Sequence, residues 1–343
     1  MDIEKSNGST FVDSQGKEYL DAFMQISSIP LGYNNEELIS AISDKNVLRS
    51  IISRPAIGMF PPKNLPDLLE NPLKAAPNGL KYMQTMMCGA CSVENAIKNA
   101  FGHFGDKLRR GEAVTDLHYA SALRSEAPGS PDVVALSFNG CFHGRTLGAL
   151  SMTCSNAKIK VDFPAFKWPR VDFPQLKYPL HEHESENKAE EARCLAQAEE
   201  IFEKQNKISA PIAAVIIEPI QGEGGDRMAS DDYFRKLTNI ARKNGAAMIA
   251  DEVQTGFGAT GRWWASDYWE QPIDMLTFAK KAQAAGYYYN EEFSSNPNVR
   301  IFNTWNGEPL KLAMMGEIVK IVERDALLDN VNHAKNLKSL EYF

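Results

Sequence analysis

An acid, an amide and a lysine stand at the ends of apolar runs in the second half of this sequence. Asp251 and Gln254 follow the apolar part of AAMIADEVQTG, and Lys280 and Lys281 close MLTFAKK. Two further runs deliver polar groups in the same way: VVALSF leads to Phe142, His143 and Arg145, and AAVIIEP leads to Glu218 and, just after it, Glu223. Open parallel sheets bind ligands at the carboxyl ends of their strands, so these residues are candidates for one site. Their chemistry is that of a pyridoxal phosphate site. A lysine attaches covalently to the cofactor aldehyde, and an acid keeps the pyridine nitrogen protonated so that the ring accepts electrons. Each residue alone has a plainer use: a lysine after a strand is usually a surface lysine, and an aspartate there usually forms a turn or cap. The glycine-rich stretches GEGGD and TGFGATG are commoner as turns than as phosphate loops. Their placement at ends of separate strands, in an order set by one fold, favours the site.

The elements that would position them alternate. Residues 209 to 220 contain an unbroken apolar and β-branched run, predicting a strand buried on both faces. Ser230, with Asp231 and Asp232, predicts the start of a helix that carries basic residues late and stops at Gly245. AAMIADEV and DMLTFA predict two more strands, and Val133 to Phe138 an earlier one. SVENAIKNAF repeats apolar positions at helical spacing just after Cys88, with Ser92 and Glu94 suited to the first turn. The order implies the α/β class, a mostly parallel sheet with helices on its faces. The charged stretch from His181 predicts a solvated helix with its loop rather than a metal site, and residues from Leu310 have helical periodicity.

Composition bounds the function. The chain has 343 residues with a formal charge of −7, which argues against a basic nucleic-acid surface. A hydrophobic content of 43% with 24% charged residues is ordinary for a protein with a real core. No apolar run approaches the roughly 20 residues that span a bilayer, and the start lacks the marks of a signal or transit peptide, so a soluble intracellular protein is expected. Five cysteines, Cys88, Cys91, Cys141, Cys154 and Cys194, do not form a small secreted disulfide framework, and reduced thiols are expected. Cys88 and Cys91 form a CxxC pair, weak alone as a zinc or redox motif.

Six segments, IIEPIQGEGG, ADEVQTGFGATGRWWA, TFAKK, CFHGRT, MQISSIPLGY and RIFNTWNG, together closely resemble the class III aminotransferases, and within them the members acting on 4-aminobutyrate. The similarity runs from about Gly8 to about Ala334. It implies the pyridoxal-phosphate-dependent transferase fold of type I and a homodimer with sites at the subunit interface, with no nucleic-acid or membrane partner. It also implies an N-terminal part of the small domain over 1–35, the large cofactor-binding domain over 36–308, and the interdomain helix with the start of a C-terminal small domain over 309–343. By position, Lys280 would hold the cofactor, the adjacent Lys281 leaving a one-residue ambiguity. Asp251 would pair with the pyridine nitrogen and Gln254 with the phenolic oxygen; Phe142 would stack on the ring, and Glu218 would belong to the same pocket. The backbone of Gly89 and Ala90 would hold the phosphate at a helix start, although the family usually has a hydroxyl residue where Ala90 stands. Thr304 would add a phosphate contact from the partner subunit. Arg145 would bind the substrate carboxylate, Ile26 would line the substrate pocket, and Glu223 would act as a gate together with an arginine that lies beyond this sequence.

The implied reaction is a ping-pong amino transfer from 4-aminobutyrate to 2-oxoglutarate, giving succinate semialdehyde and glutamate. In animal members the CGxC pair, joined by its copy across the dimer axis, holds a 2Fe-2S cluster, which makes Cys88 and Cys91 candidate ligands. Members occur in the mitochondrial matrix or the cytosol. The family continues for about a hundred residues beyond Ala334 and begins several tens of residues earlier, so a truncated chain is expected, with apolar surface of its interdomain helix exposed. Two other readings stay open: another class III enzyme acting on a different ω-amino acid such as β-alanine or ornithine, and a non-catalytic chain that dimerises.

Overall fold

The computed structural model describes residues 1–294 and 300–341, the last seven by helix path alone; the end of the 309–343 segment lies outside the described residues. The chain begins with a small antiparallel sheet of β1 (Asp2–Asn7), β2 (Thr10–Val12) and β3 (Glu18–Leu20), then a single turn, α1 (Met24–Ser27). All four residues of α1 have φ between 49° and 63°, so the turn is left-handed. Helices α2 (Glu36–Ile42), α3 (Lys45–Ser53) and α4 (Leu65–Lys74) follow.

The central sheet has seven strands in the order β4-β10-β9-β8-β7-β5-β6. They are β4 (Tyr82–Met86), β5 (Val134–Phe138), β6 (Arg170–Val171), β7 (Ile212–Ile217), β8 (Ala247–Asp251), β9 (Met275–Phe278) and β10 (Ala285–Tyr289). Only β10 runs against its neighbours; the other strand pairs are parallel. The ends of β4, β5, β7, β8 and β9 therefore open on one edge. Between them run α5 (Gly89–Leu108), α6 (Asp116–Ala122), α7 (Leu147–Met152), α8 (Glu184–Lys207) and α9 (Asp231–Lys243), and α10 (Pro309–Arg324) and α11 (Leu327–Glu341) end the chain.

Side-chain alternation splits the core in two. Met248, Ala250, Leu276 and Phe278 face one way, where Cys194, Ala198 and Phe202 of α8 and Phe234, Leu237 and Ala241 of α9 cover them. Ala247, Ile249 and Met275 face the other way, against Val93, Ala96, Ile97 and Ala100 of α5. Those α5 positions recur at the spacing that puts them on one helix face, and burying a Val or Ile side chain stabilises by about 1.5–3 kcal/mol.

The run predicted as a strand over 209 to 220 is shorter in the structure because Pro211 and Pro219, which lack an amide proton, bracket it. Ser230 caps α9, its side chain accepting from the Tyr233 amide. α5 starts just after Cys88, as its spacing predicts, and the Ser92 hydroxyl in its first turn bonds back to the Cys88 carbonyl at 3.0 Å. The apolar face of α10 is not exposed as expected: Leu312, Met315, Ile318, Val319 and Ile321 are buried, and the helix packs on α4, α2 and α3. Among the described residues, no helix is long and apolar enough to cross a membrane.

Candidate active site

Five strand ends enclose a cavity of about 800 Å³. β4 leads into Cys88, Gly89 and Ala90, β5 into Phe142 and Arg145, β7 into Glu218, β8 into Asp251 and Gln254, and β9 into Lys280; all line it, with Ile26 and Glu223 at its exposed mouth. Cys91 and Thr304 are not among the lining residues, and Thr304 is exposed.

Asp251 is the buried charge of this edge, 2% exposed. His143 Nδ1 lies 2.7 Å from its Oδ2, while the Thr277 hydroxyl and the Val253 amide donate to Oδ1 at 2.9 and 3.2 Å. Thr277 is there because β8 and β9 pair Asp251 with it in register. Burial on its own would lower the His143 pKa, but the hydrogen bond and charge of Asp251 outweigh it and raise the value. The imidazole thus braces the carboxylate from one side. The sequence offered His143 as a strand-end candidate in CFHGRT without assigning its partner, whereas Thr277 is legible only from strand register.

The two lysines separate cleanly. Lys280 lines the cavity and its Nζ donates to Gln254 Oε1. Lys281 is 9% exposed, and its Nζ turns away to the Gln254 carbonyl at 2.6 Å. A left-handed residue at Lys280, with φ of 45°, makes this divergence possible. Burial lowers the Lys280 pKa, and burial together with the Lys280 charge brings Lys281 down to about 8.

Glu218 Oε2 accepts from the Phe142 amide at 2.8 Å, and burial pushes the Glu218 pKa up to about 8. It therefore fixes the aromatic ring while remaining largely protonated at neutral pH. Glu252, next to Asp251, has a structural job: its carboxylate accepts from the amides of Ala265 and Ser266 at 2.9 and 2.7 Å.

The start of α5 opens on the cavity without a side-chain cap. Cys88 makes no side-chain cap bond, so the first amides of the helix are left to a ligand. A Cβ on Gly89 would come within 2.9 Å of a Val253 methyl, and one on Gly144, whose φ is +123°, within 2.6 Å of the Ala90 Cβ. Glycine lets both backbones close around the cradle. The Arg145 guanidinium lies 6.0 Å from the centre of the Phe142 ring. The Cys88 and Cys91 sulfurs are 3.3 Å apart, Cys88 exposed, with burial pushing the Cys91 thiol up to about 11. Among the described residues, no group of three or more His, Cys, Asp or Glu side chains converges as a metal site.

The model of the aminotransferase class III family matches residues 1–340. The mitochondrial 4-aminobutyrate aminotransferases of Sus scrofa and Homo sapiens are 46% and 45% identical over 334 residues, spanning 96% of this chain and 67% of theirs. Among solved structures, the lysine aminotransferase of M. tuberculosis superposes with a TM-score of 0.83 at 29% identity, covering 99% of this chain and 76% of that one. An anion cradle, a buried acid and a cavity lysine on the edge of this sheet accord with these likenesses: the chain belongs to the class III aminotransferases, the pyridoxal-phosphate-dependent transaminases.

Proposed function

We propose that this protein transfers the amino group of 4-aminobutyrate to 2-oxoglutarate in two half-reactions, releasing succinate semialdehyde and then glutamate. The observation that carries the reading is the convergence of Lys280, Asp251, Gln254 and the uncapped start of α5 on one cavity; the names of the relatives supply the substrate. The residues fit pyridoxal phosphate, since a phosphate answers the free amides of Gly89 and Ala90 and a protonated ring nitrogen answers Asp251. When bound, the cofactor supplies an electron-withdrawing ring that stabilises negative charge developing at the substrate carbon.

The chain's own residues do the rest. Lys280 Nζ would hold the cofactor through its aldehyde and, as a free amine, would carry a proton from the substrate carbon. Its lowered pKa enlarges the neutral fraction able to do so. Asp251, supported by His143, would hold the proton on the ring nitrogen, and Gln254, which accepts from Lys280, would also bond the phenolic oxygen. Phe142, whose amide Glu218 holds, would stack on the ring. Arg145 presents its planar fork to the substrate carboxylate beside Ile26, while Glu223 at the mouth guards the approach of the second substrate's extra carboxylate.

A homodimer is part of this reading. Thr304, exposed and outside its own cavity, is suited to complete the partner's phosphate site. Two copies of Cys88 and Cys91 would supply four soft thiolates to a shared 2Fe-2S cluster. The mitochondrion, named for the relatives above, is the proposed compartment.

The test is the absorption spectrum of the purified protein with a coupled assay. The visible band of bound cofactor should vanish in Lys280→Ala and persist in Lys281→Ala, and 4-aminobutyrate should outperform β-alanine and ornithine with 2-oxoglutarate. Well-folded protein that takes up no cofactor, or a preference for either rival amine, overturns the corresponding part. Iron and acid-labile sulfide should be present and be lost in Cys88→Ser.

A further inference from the structure

Two cysteines bracket the loop that carries Phe142, His143 and Arg145, and the amino transfer proposed above uses neither. Cys141 directly precedes Phe142, and Cys154 stands just beyond α7. Their sulfurs lie 4.0 Å apart. The backbone already ties these points together, since the amides of Cys154 and Ser155 both donate to the Cys141 carbonyl, at 2.8 and 3.1 Å. Cys141 is 1% exposed, whereas Cys154 is only half-buried. A solvent-borne reagent therefore meets Cys154 first, with a second thiol within reach behind it.

The surroundings of Cys154 are those of a reactive sulfur. The Gly140 amide points at its Sγ from 3.2 Å. Lys160 and Arg170 converge on the same corner, their cationic heads bonded to the carbonyls of Leu150, Thr153, Ser151 and Met152. Hydrogen bonding from Cys141, the Gly140 amide and the charge of Arg170 draw the Cys154 thiol down, while burial pushes Cys141 up. The Phe138 carbonyl, 3.3 Å from the Cys154 sulfur, faces a thiol hydrogen in the protonated state. A buried thiol 4.0 Å from a partly exposed one that has an amide and two cationic side chains beside it is the arrangement in which one sulfur attacks and the other resolves.

We propose that Cys154 is a modification site for peroxides, with Cys141 as its resolving thiol, so that oxidation staples the two ends of the active-site loop. Cys154 Sγ attacks one peroxide oxygen; the O–O bond breaks, the other oxygen leaves as water or an alcohol after taking up a proton, and the sulfur becomes a sulfenic acid. Cys141 Sγ then attacks that sulfur, the S–S bond forms, and the hydroxyl leaves with the Cys141 proton as water. The two thiols together give up two electrons and the peroxide accepts them. Closing the sulfurs from 4.0 Å to a bond of about 2 Å shifts Cys141, and with it the Phe142 amide on Glu218 and the His143 amide on Thr153.

Peptide mapping tests this without reference to turnover. Cleavage after Arg145 places Cys141 and Cys154 in different tryptic peptides, 125–145 and 146–158, while Cys88 and Cys91 stay together in 82–98. Treating the folded protein with hydrogen peroxide should join the first two peptides with the loss of two hydrogens, and a dithiol should separate them. In Cys141→Ser the link should be absent and a cyclic diketone probe should label Cys154. In Cys154→Ser, Cys141 should remain a free thiol. A free Cys154 in protein whose other cysteines have been oxidised overturns the proposal, as does a sulfenic acid on wild-type Cys154 that never links to Cys141.

Discussion

Replacing Lys281 by methionine tests how the structure divides work between two adjacent lysines. The Lys281 pKa falls from the ordinary 10.5 to about 8 because the ammonium is buried and stands beside Lys280. At about 1.4 kcal/mol per pH unit, the folded state disfavours that charge by roughly 3 kcal/mol below pH 8. The sign follows from proton counting. Between about pH 8 and 10.5 the unfolded chain still holds the proton that the folded chain has released, so this group makes stability rise with pH. Methionine fills similar volume without charge, relieving the penalty, but it leaves the Gln254 carbonyl without its 2.6 Å donor, at a cost of about 1–3 kcal/mol. The two effects nearly cancel near pH 7, so a single stability value would say little. The pH dependence discriminates: urea unfolding from about pH 7 to 10 should show a wild-type curve that gains on Lys281→Met by about 2–3 kcal/mol. A wild-type minus variant difference that stays constant across this range refutes the account of a buried, charge-penalised Lys281.

Other expectations follow from the same geometry. His143→Phe removes the 2.7 Å partner of a carboxylate that is 2% exposed and should lower stability by about 3–5 kcal/mol, with weaker cofactor retention on dialysis. Gly89→Ala places a methyl 2.9 Å from Val253 and should weaken cofactor binding several-fold in a titration, an effect that Val253→Ala in the same chain should largely reverse. Glu218, raised to about 8 by burial, keeps in the folded state a proton that the unfolded chain loses near 4.5, so its contribution to stability declines as pH climbs between those values. Glu218→Gln, which keeps the acceptor for Phe142, should flatten that decline in thermal melts while changing stability at pH 5 by less than about 1 kcal/mol.

The sheet was legible where the chain repeats an apolar pattern. Strands β5, β7, β8 and β9 are predominantly apolar runs with polar residues at or just beyond their ends, so their existence and the chemistry there could be read together. β4 and β10 could not. YMQTM is half polar, and AGYYY lies in the middle of a segment without helical or alternating period, so their strand character comes from pairing with each other and with β9. The start of α5 just after Cys88 was legible from the helical spacing of SVENAIKNAF, and the strand before it ends at Met86 and leaves Cys88 at the turn.

On its own, then, the order of residues determined which groups are present at the strand ends: an acid, an amide, a lysine and an arginine, with glycines where backbones must approach. It also determined the period of the elements that carry them, because burial demands alternation in strands and 3.6-residue repeats in helices. Only the tertiary structure decided which of two neighbouring lysines faces the cavity, because a left-handed residue at 280 sends consecutive side chains to different places. It alone placed His143 and Thr277 on Asp251, positions 108 and 26 residues away along the chain, and brought Cys154 to Cys141. Hydrogen bonds and desolvation act over a few ångströms in space, whatever the separation in sequence, so pairs of this kind exist only once the sheet has closed the distance between them.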